Sequence, residues 1–254
     1  MSRIPKLFSK KTAKIIPFLT AGYPDKSQTV ELVLAAEESG ASMVELGMPF
    51  SDPLADGPVI QKSSQIAIAN GVDIKWILET VGEIRGSSEI PLVLMGYINP
   101  IIKYGLARFI VDCQKSGVDG LIIPDCPPEE AGEFVRLCKL HEISPILLIA
   151  PNTLPDRIKI ISKLAGDLIY CVAILGVTGS SGDSMGDLES YLKRVKENSS
   201  CPFIVGFGIK TREDVKYIND LSHGAVAGSA IINAIDESGS PVDALKKYIE
   251  SLVI

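Results

Sequence analysis

A (β/α)8 barrel, the TIM barrel, is the fold this sequence predicts, and three observations predict it. Eight short β-rich runs recur along the 254 residues, and most are continuously apolar rather than alternating, as strands covered on both faces of a parallel sheet must be. Segments of helical period lie between them. Strand starts are separated by ~22 to ~34 residues, the length of a strand plus its crossover helix, with one gap of ~48 after Met43. A doubly wound open sheet is the alternative, but no G-x-G-x-x-G follows the first strand to support it.

The first run, IIPFLTA (Ile15 to Ala21), leads into SQTVELVLAAEESG, whose apolar positions have helical spacing and whose last glycine suits a helix C-terminus. The second, MVELG (Met43 to Gly47), feeds the long excursion and then GVDIKWILETVGEIRG, which closes in the same way. PLVLMGY (Pro91 to Tyr97), GLIIPD (Gly120 to Asp125) and PILLIA (Pro145 to Ala150) follow, and TLPDRIKIISKLAG repeats the helix design. LIYCVAI (Leu168 to Ile174) and PFIVGFG (Pro202 to Gly208) come next. KTREDVKYINDLSHG then carries the chain to GAVAGSA (Gly224 to Ala230), where Ser229 enters AIINAI, a short extra helix. The expectation is one barrel domain over residues 1–254, with extended βα loops at about 48–65 and 175–187.

With 46% hydrophobic residues the chain can bury a substantial core. Its net charge of -6, with no basic run beyond Lys10-Lys11 and Lys246-Lys247, argues against a nucleic-acid surface, so any phosphate must be held locally. The basic N-terminal residues precede no signal-type apolar core, and no uncharged stretch reaches the length of a membrane helix, which implies a cytoplasmic protein without a membrane partner. Cys113, Cys126, Cys138, Cys171 and Cys201 are odd in number and lack C-x-x-C spacing, so they read as small buried hydrophobes. The two histidines, His141 and His223, fall at a helix end and a connection and read as surface groups; no metal site is expected.

The chemistry concentrates in VELGMPFSDPLADGP, residues 44–58. An isolated carboxylate is expensive to bury, yet Glu45 stands in an apolar strand near its C-terminal end, where a barrel collects catalytic groups. A carboxyl in such a mouth takes a raised pKa and can give and take a proton near neutrality; a lysine-paired surface glutamate is the plain alternative. The last three strand ends, GVTG (Gly176 to Gly179), GFGI (Gly206 to Ile209) and AGSA (Ala227 to Ala230), place glycine where backbone N–H groups can approach a ligand. Barrels commonly bind phosphate there, although tight turns alone also call for glycine.

PFLTAGYP, VELGMPFSDPLADGPVIQ, PLVLMGYINP, GLIIPDCPPEE, GVTG, VGFGI and GSAII together resemble the tryptophan synthase α chain family, in its order and spacing and over the whole length. The resemblance implies a barrel that cleaves indole-3-glycerol phosphate to indole and glyceraldehyde 3-phosphate by a retro-aldol route. It implies no cofactor in this chain and a pyridoxal-phosphate β subunit as partner in an α2β2 heterotetramer. By the same resemblance Glu45 is the acid/base group and Asp56 accepts the indole N–H, with Tyr170 close to Glu45. Phe18, Tyr97 and Phe207 line the indole pocket, with Ile122 and Leu148 as neighbours. Gly179, Gly208, Gly228 and Ser229 hold the phosphate, and Thr178 belongs to a loop that engages the strand-two aspartate on closure. Asp52 reads as a turn cap or loop support, and Met48, Pro49, Phe50 and Pro53 as an apolar rim facing the partner.

Ala173-Ile174-Leu175 departs from the family, which generally carries a serine two or three positions before GVTG and often an arginine or threonine nearby. That departure sustains the alternative of a catalytically weak subunit that mainly activates its partner, whereas the retained Glu45, Asp56, Tyr170 and Thr178 favour an active lyase. A class I aldolase would need a strand-end lysine, and none of the eight strand cores contains one.

Overall fold

The computed structural model describes residues 2–10, 12–173, 184–206 and 208–254. Eight strands, β1 (Ile15–Thr20), β2 (Val44–Gly47), β3 (Leu92–Met95), β4 (Gly120–Ile122), β5 (Ser144–Ile149), β6 (Ile169–Val172), β7 (Phe203–Gly206) and β8 (Ala225–Ala227), close into a parallel barrel in chain order. The described helices are α1 (Ile4–Phe8), α2 (Thr29–Glu38), α3 (Pro58–Ala69), α4 (Ile74–Arg85), α5 (Ile98–Tyr104), α6 (Leu106–Ser116), α7 (Gly132–Leu140), α8 (Pro155–Ala165), α9 (Ser184–Asn198), α10 (Arg212–Leu221), α11 (Ser229–Asp236) and α12 (Pro241–Leu252). The predicted barrel is the observed one, and each predicted run overlaps its strand. The surplus residues fall at both ends of the strands: Met43, Pro91, Leu168, Pro202 and Gly224 precede them, Ala21, Gly96 and Ala150 lie at the mouth, and Ser229 and Ala230 already belong to α11.

Burial on both faces is what made the strands read as unbroken apolar runs. One face packs against the surrounding helices. The other fills the barrel with Ile16, Val93, Ile122, Ile146, Leu168 and Ile204, sealed below by Ile4 and Phe8 of α1. Ile4 reaches in because Gly120 has no Cβ; a side chain there would come within 2.7 Å of the Ile4 Cδ1. The buried Asp119 carboxylate fixes this plug, accepting from the Arg3 N–H at 2.8 Å and from the Arg85 guanidinium at 2.6 Å. A buried charge is tolerable only with such partners.

Two local expectations change. Gly40 and Gly166 close their helices with positive φ, but Gly86 remains right-handed and α10 ends at Leu221, before Gly224. The excursion after β2 is loop only as far as Gly57, where α3 begins with Pro58 in its first turn. Serines conceal that helix, because its inner face consists of Ile60, Ser63, Ser64 and Ala67. Ser63 meets the Thr20 hydroxyl at 2.7 Å beneath the site, so its polarity is satisfied and its apolar period is faint.

The cysteines are buried except the half-buried Cys126. The histidines do more than face solvent: the His223 ring stacks edge-on against Phe203 with centroids 5.1 Å apart and takes its N–H, and His141 bonds Gln114 at 2.8 Å.

Candidate active site

Parallel register aligns the upper ends of the strands. Phe18 pairs with Glu45 across β1 and β2, and Leu148 pairs with Tyr170 across β5 and β6. All four side chains line a cavity of about 280 Å³ at the C-terminal ends of the strands, together with Asp56, Gly208, Gly228 and Ser229. Two missing Cβ atoms shape it. A Cβ on Gly47 would run into the Phe18 ring, and one on Gly206 would lie 2.8 Å from Tyr170 Cζ and closer still to its hydroxyl.

Glu45 is fully buried, and neither carboxyl oxygen has a hydrogen-bond partner among the described residues. Desolvation penalises its charged form and lifts its pKa from an ordinary 4.5 to about 8, so the group is mostly protonated at neutral pH. Burial also raises the Tyr170 phenol, and the negative charge of nearby Glu45 raises it further.

Asp56 arrives from the other side, on the loop between β2 and α3. Its backbone is held at both ends: its N–H donates to the Pro53 carbonyl at 3.3 Å, and its carbonyl accepts from Gln61 Nε2 at 2.8 Å. Partial burial raises its pKa, while the neighbouring Tyr97 hydroxyl works in the opposite direction. Two carboxyl groups in unequal surroundings can therefore hold different protonation states at one pH.

The start of α11 borders the same cavity. The Ile231 and Ile232 N–H groups both return to the Gly228 carbonyl, whereas those of Ser229 and Ala230 have no acceptor among the described residues. Free amides at the start of a helix, aligned with its dipole, suit a phosphate.

The remaining expected residues separate. Tyr97 does not line the cavity; its hydroxyl accepts the Ala55 N–H at 3.0 Å and its ring stacks on Phe50 at 5.3 Å, so it braces the loop that carries Asp56. Ile122 belongs to the barrel filling, not to the cavity wall. Asp52 is exposed and accepts from the Ser51 hydroxyl at 2.5 Å. Met48 turns inward, its side chain filling the space left by Gly96, and the exposed apolar tip of the loop is Leu54, at 94%. Thr178, Gly179, Phe207, Ile174 and Leu175 lie outside the described residues. Sequence reasoning did not pick out Pro124, Val172 or Lys210, which also line the cavity. Each stands at or just beyond a strand end, the one signal that could have marked them.

Comparison with known proteins follows the same outline. A family model described as "Tryptophan synthase alpha chain" matches residues 4–252. The tryptophan synthase alpha chain of Petrotoga mobilis is 43% identical over 258 residues, covering 100% of both chains. The crystal structure of tryptophan synthase subunit alpha from Legionella pneumophila superposes with a TM-score of 0.92 at 34% identity, covering 99% of this chain and 97% of that one. A chain from the tryptophan synthase α2β2 complex of Pyrococcus furiosus gives a TM-score of 0.85 at 37% identity, covering 94% and 97%.

Proposed function

The chain belongs to the tryptophan synthase alpha chain family, and from that premise we propose how its own residues carry out the family's retro-aldol cleavage of indole-3-glycerol phosphate. The observation that carries the assignment is Glu45, fully buried in the cavity wall with both oxygens unpartnered and a pKa near 8. In the protonated form it delivers a proton to indole C3. The carboxylate left behind takes the proton of the glycerol hydroxyl as the carbon–carbon bond breaks, so the acid is restored in each turnover.

Protonation at C3 places positive charge on the indole nitrogen. Asp56 accepts the indole N–H and holds that charge, an interaction strongest in the transition state, where the charge is greatest. Tyr170 packs beside the acid and orders it, while Phe18 and Leu148 flank the indole plane. The phosphate lies on the amides of Gly208, Gly228, Ser229 and Ala230; the family resemblance adds Gly179, which is outside the described residues. The same resemblance gives Thr178 the closing contact with the Asp56 loop and Phe207 a part in the indole pocket, both outside the described residues. Tyr97 acts through that loop as a positioning residue.

The indole product is small, apolar and membrane-permeant, so release into bulk water would lose it. We assign it to a pyridoxal-phosphate-dependent β subunit docked over the barrel mouth in an α2β2 assembly. Support comes from the exposed Leu54 beside Asp56 and from the Pyrococcus furiosus complex, whose α chain is matched here. The reaction is placed in the cytoplasm, where the charge of its phosphorylated substrate retains it, and residues 1–254 act as one barrel domain. Indole release from indole-3-glycerol phosphate, measured with and without a β subunit, tests the assignment. Turnover by the chain that rises with the partner is expected. No turnover in either case, with the partner's own reaction still stimulated, would make this chain an activator only.

A further inference from the structure

The phosphate end of the cavity contains one group that the amide cradle does not explain. Lys210, two residues beyond Gly208, lines the cavity with Gly208, Gly228, Ser229 and Ala230. It is the only basic side chain lining it among the described residues, in a cavity whose other titratable groups are Glu45, Asp56 and Tyr170.

Its backbone is committed elsewhere. The Lys210 N–H donates to Asp214 Oδ2 at 2.9 Å, as does that of Thr211, and its carbonyl accepts the Tyr248 hydroxyl at 3.0 Å. Lys210 therefore offers an anion no amide, only its ammonium, on a stem rooted at both sides. Among the described residues no carboxylate pairs with that ammonium, whereas Lys62 and Lys246 each have an acidic partner.

Electrostatics gives this cation a purpose. The start of a helix presents roughly half an elementary positive charge, which does not neutralise a phosphate dianion. Here the protein is acidic, and the Asp214 carboxylate already occupies two amides of the β7 loop. A flexible, unpaired ammonium at the rim supplies the missing positive charge, and lysine serves as a point-charge phosphate ligand in this way.

We propose that Lys210 is the charged phosphate-binding residue of this site, setting its preference for phosphorylated over dephosphorylated substrate. The proposal rests on the reading of the cavity as the indole-3-glycerol phosphate site.

The test uses the full chain and glycerol 3-phosphate as probe, with binding followed by calorimetry for wild type, Lys210→Met and Lys210→Arg at low and high salt. Lys210→Met should weaken binding by ~10-fold at low salt, the scale of one charge-assisted contact, and flatten its salt dependence. Lys210→Arg should bind within ~3-fold of wild type, since it keeps the charge. The ratio of kcat/KM for indole-3-glycerol phosphate to that for indole-3-glycerol should fall by ~10-fold in Lys210→Met and recover in Lys210→Arg. Binding and ratio within twofold of wild type in a Lys210→Met chain of unchanged thermal midpoint would overturn the role of Lys210 and leave the functional assignment intact. Failure of the wild-type chain to bind the probe or to cleave the substrate would overturn both.

Discussion

Replacing Glu45 by glutamine should abolish cleavage and, above neutral pH, stabilise the fold. In the unfolded chain the carboxyl titrates near its ordinary 4.5, and in the barrel near 8, so the folded state binds the proton more tightly. Stability linked to this group is therefore complete below about pH 4.5 and is lost as pH rises towards 8. At 1.36 kcal/mol per pKa unit, the loss is about 3 kcal/mol by pH 7 and about 5 kcal/mol on the plateau above pH 8. Glutamine is also buried and polar, so near pH 5 it resembles the neutral acid and the two proteins should be nearly equal in stability. As pH rises only the wild type is penalised. Urea unfolding of wild type and Glu45→Gln from pH 5 to 8.5 measures the difference, and other titrating groups cancel in the subtraction. The variant should gain about 3 kcal/mol relative to wild type between pH 5 and 7.5. Lyase activity should fall by roughly 100- to 10,000-fold, the usual worth of a general acid–base group. A stability difference that does not vary with pH would show that Glu45 does not titrate in this window, and the proton-transfer role would fall with it.

The same raised pKa implies that kcat/KM for indole-3-glycerol phosphate declines as pH rises through about 8, where Glu45 loses its proton; a flat profile from pH 7 to 9 would contradict this. Asp56→Asn should remove most turnover but leave glycerol 3-phosphate binding within ~2-fold, because the loop carboxylate and the α11 amides are separate contacts; equal loss of both would indicate collapse of the loop. Gly206→Ala should cost ~1–3 kcal/mol in urea unfolding, since its methyl enters the space of the Tyr170 phenol, and adding Tyr170→Phe should recover part of that cost; strictly additive effects would mean that the two do not touch. Pro53→Gly should weaken activation by a β subunit more than it weakens unassisted cleavage, as measured by rates across a partner titration; equal effects would remove the loop from the coupling.

The barrel was legible because its strands are covered on both faces, and Glu45 because a carboxylate breaks such a run. What stayed hidden depended on neighbours that have no fixed place in the sequence. Tyr97 reads as a pocket aromatic, and only the folded loop shows that its hydroxyl takes the Ala55 N–H instead. Within the loop no period distinguishes inside from outside, so the sequence reads Met48 as rim although it is buried, and nothing in it marks Leu54 as the exposed tip. Lys210 carries no mark in the sequence, because a lysine after a strand ordinarily belongs to a solvated surface.

Glycines at the strand ends carried the phosphate reading, yet they serve two physical ends. Gly208 and Gly228 lie beside the free amides of α11, where small size lets an anion approach. Gly47, Gly96 and Gly206 instead make room for protein: the Phe18 ring, the Met48 side chain and the Tyr170 phenol occupy the spaces where their Cβ atoms would stand. Within GFGI the two roles are only two residues apart: Gly206 ends β7, Gly208 stands beyond it, and both line the cavity. Gly206 makes room for the phenol near Glu45, and Gly208 leaves an opening where the proposed phosphate would lie. On the proposed assignment, these two glycines set the spacing between proton transfer and phosphate binding through the backbone rather than through a side-chain rotamer.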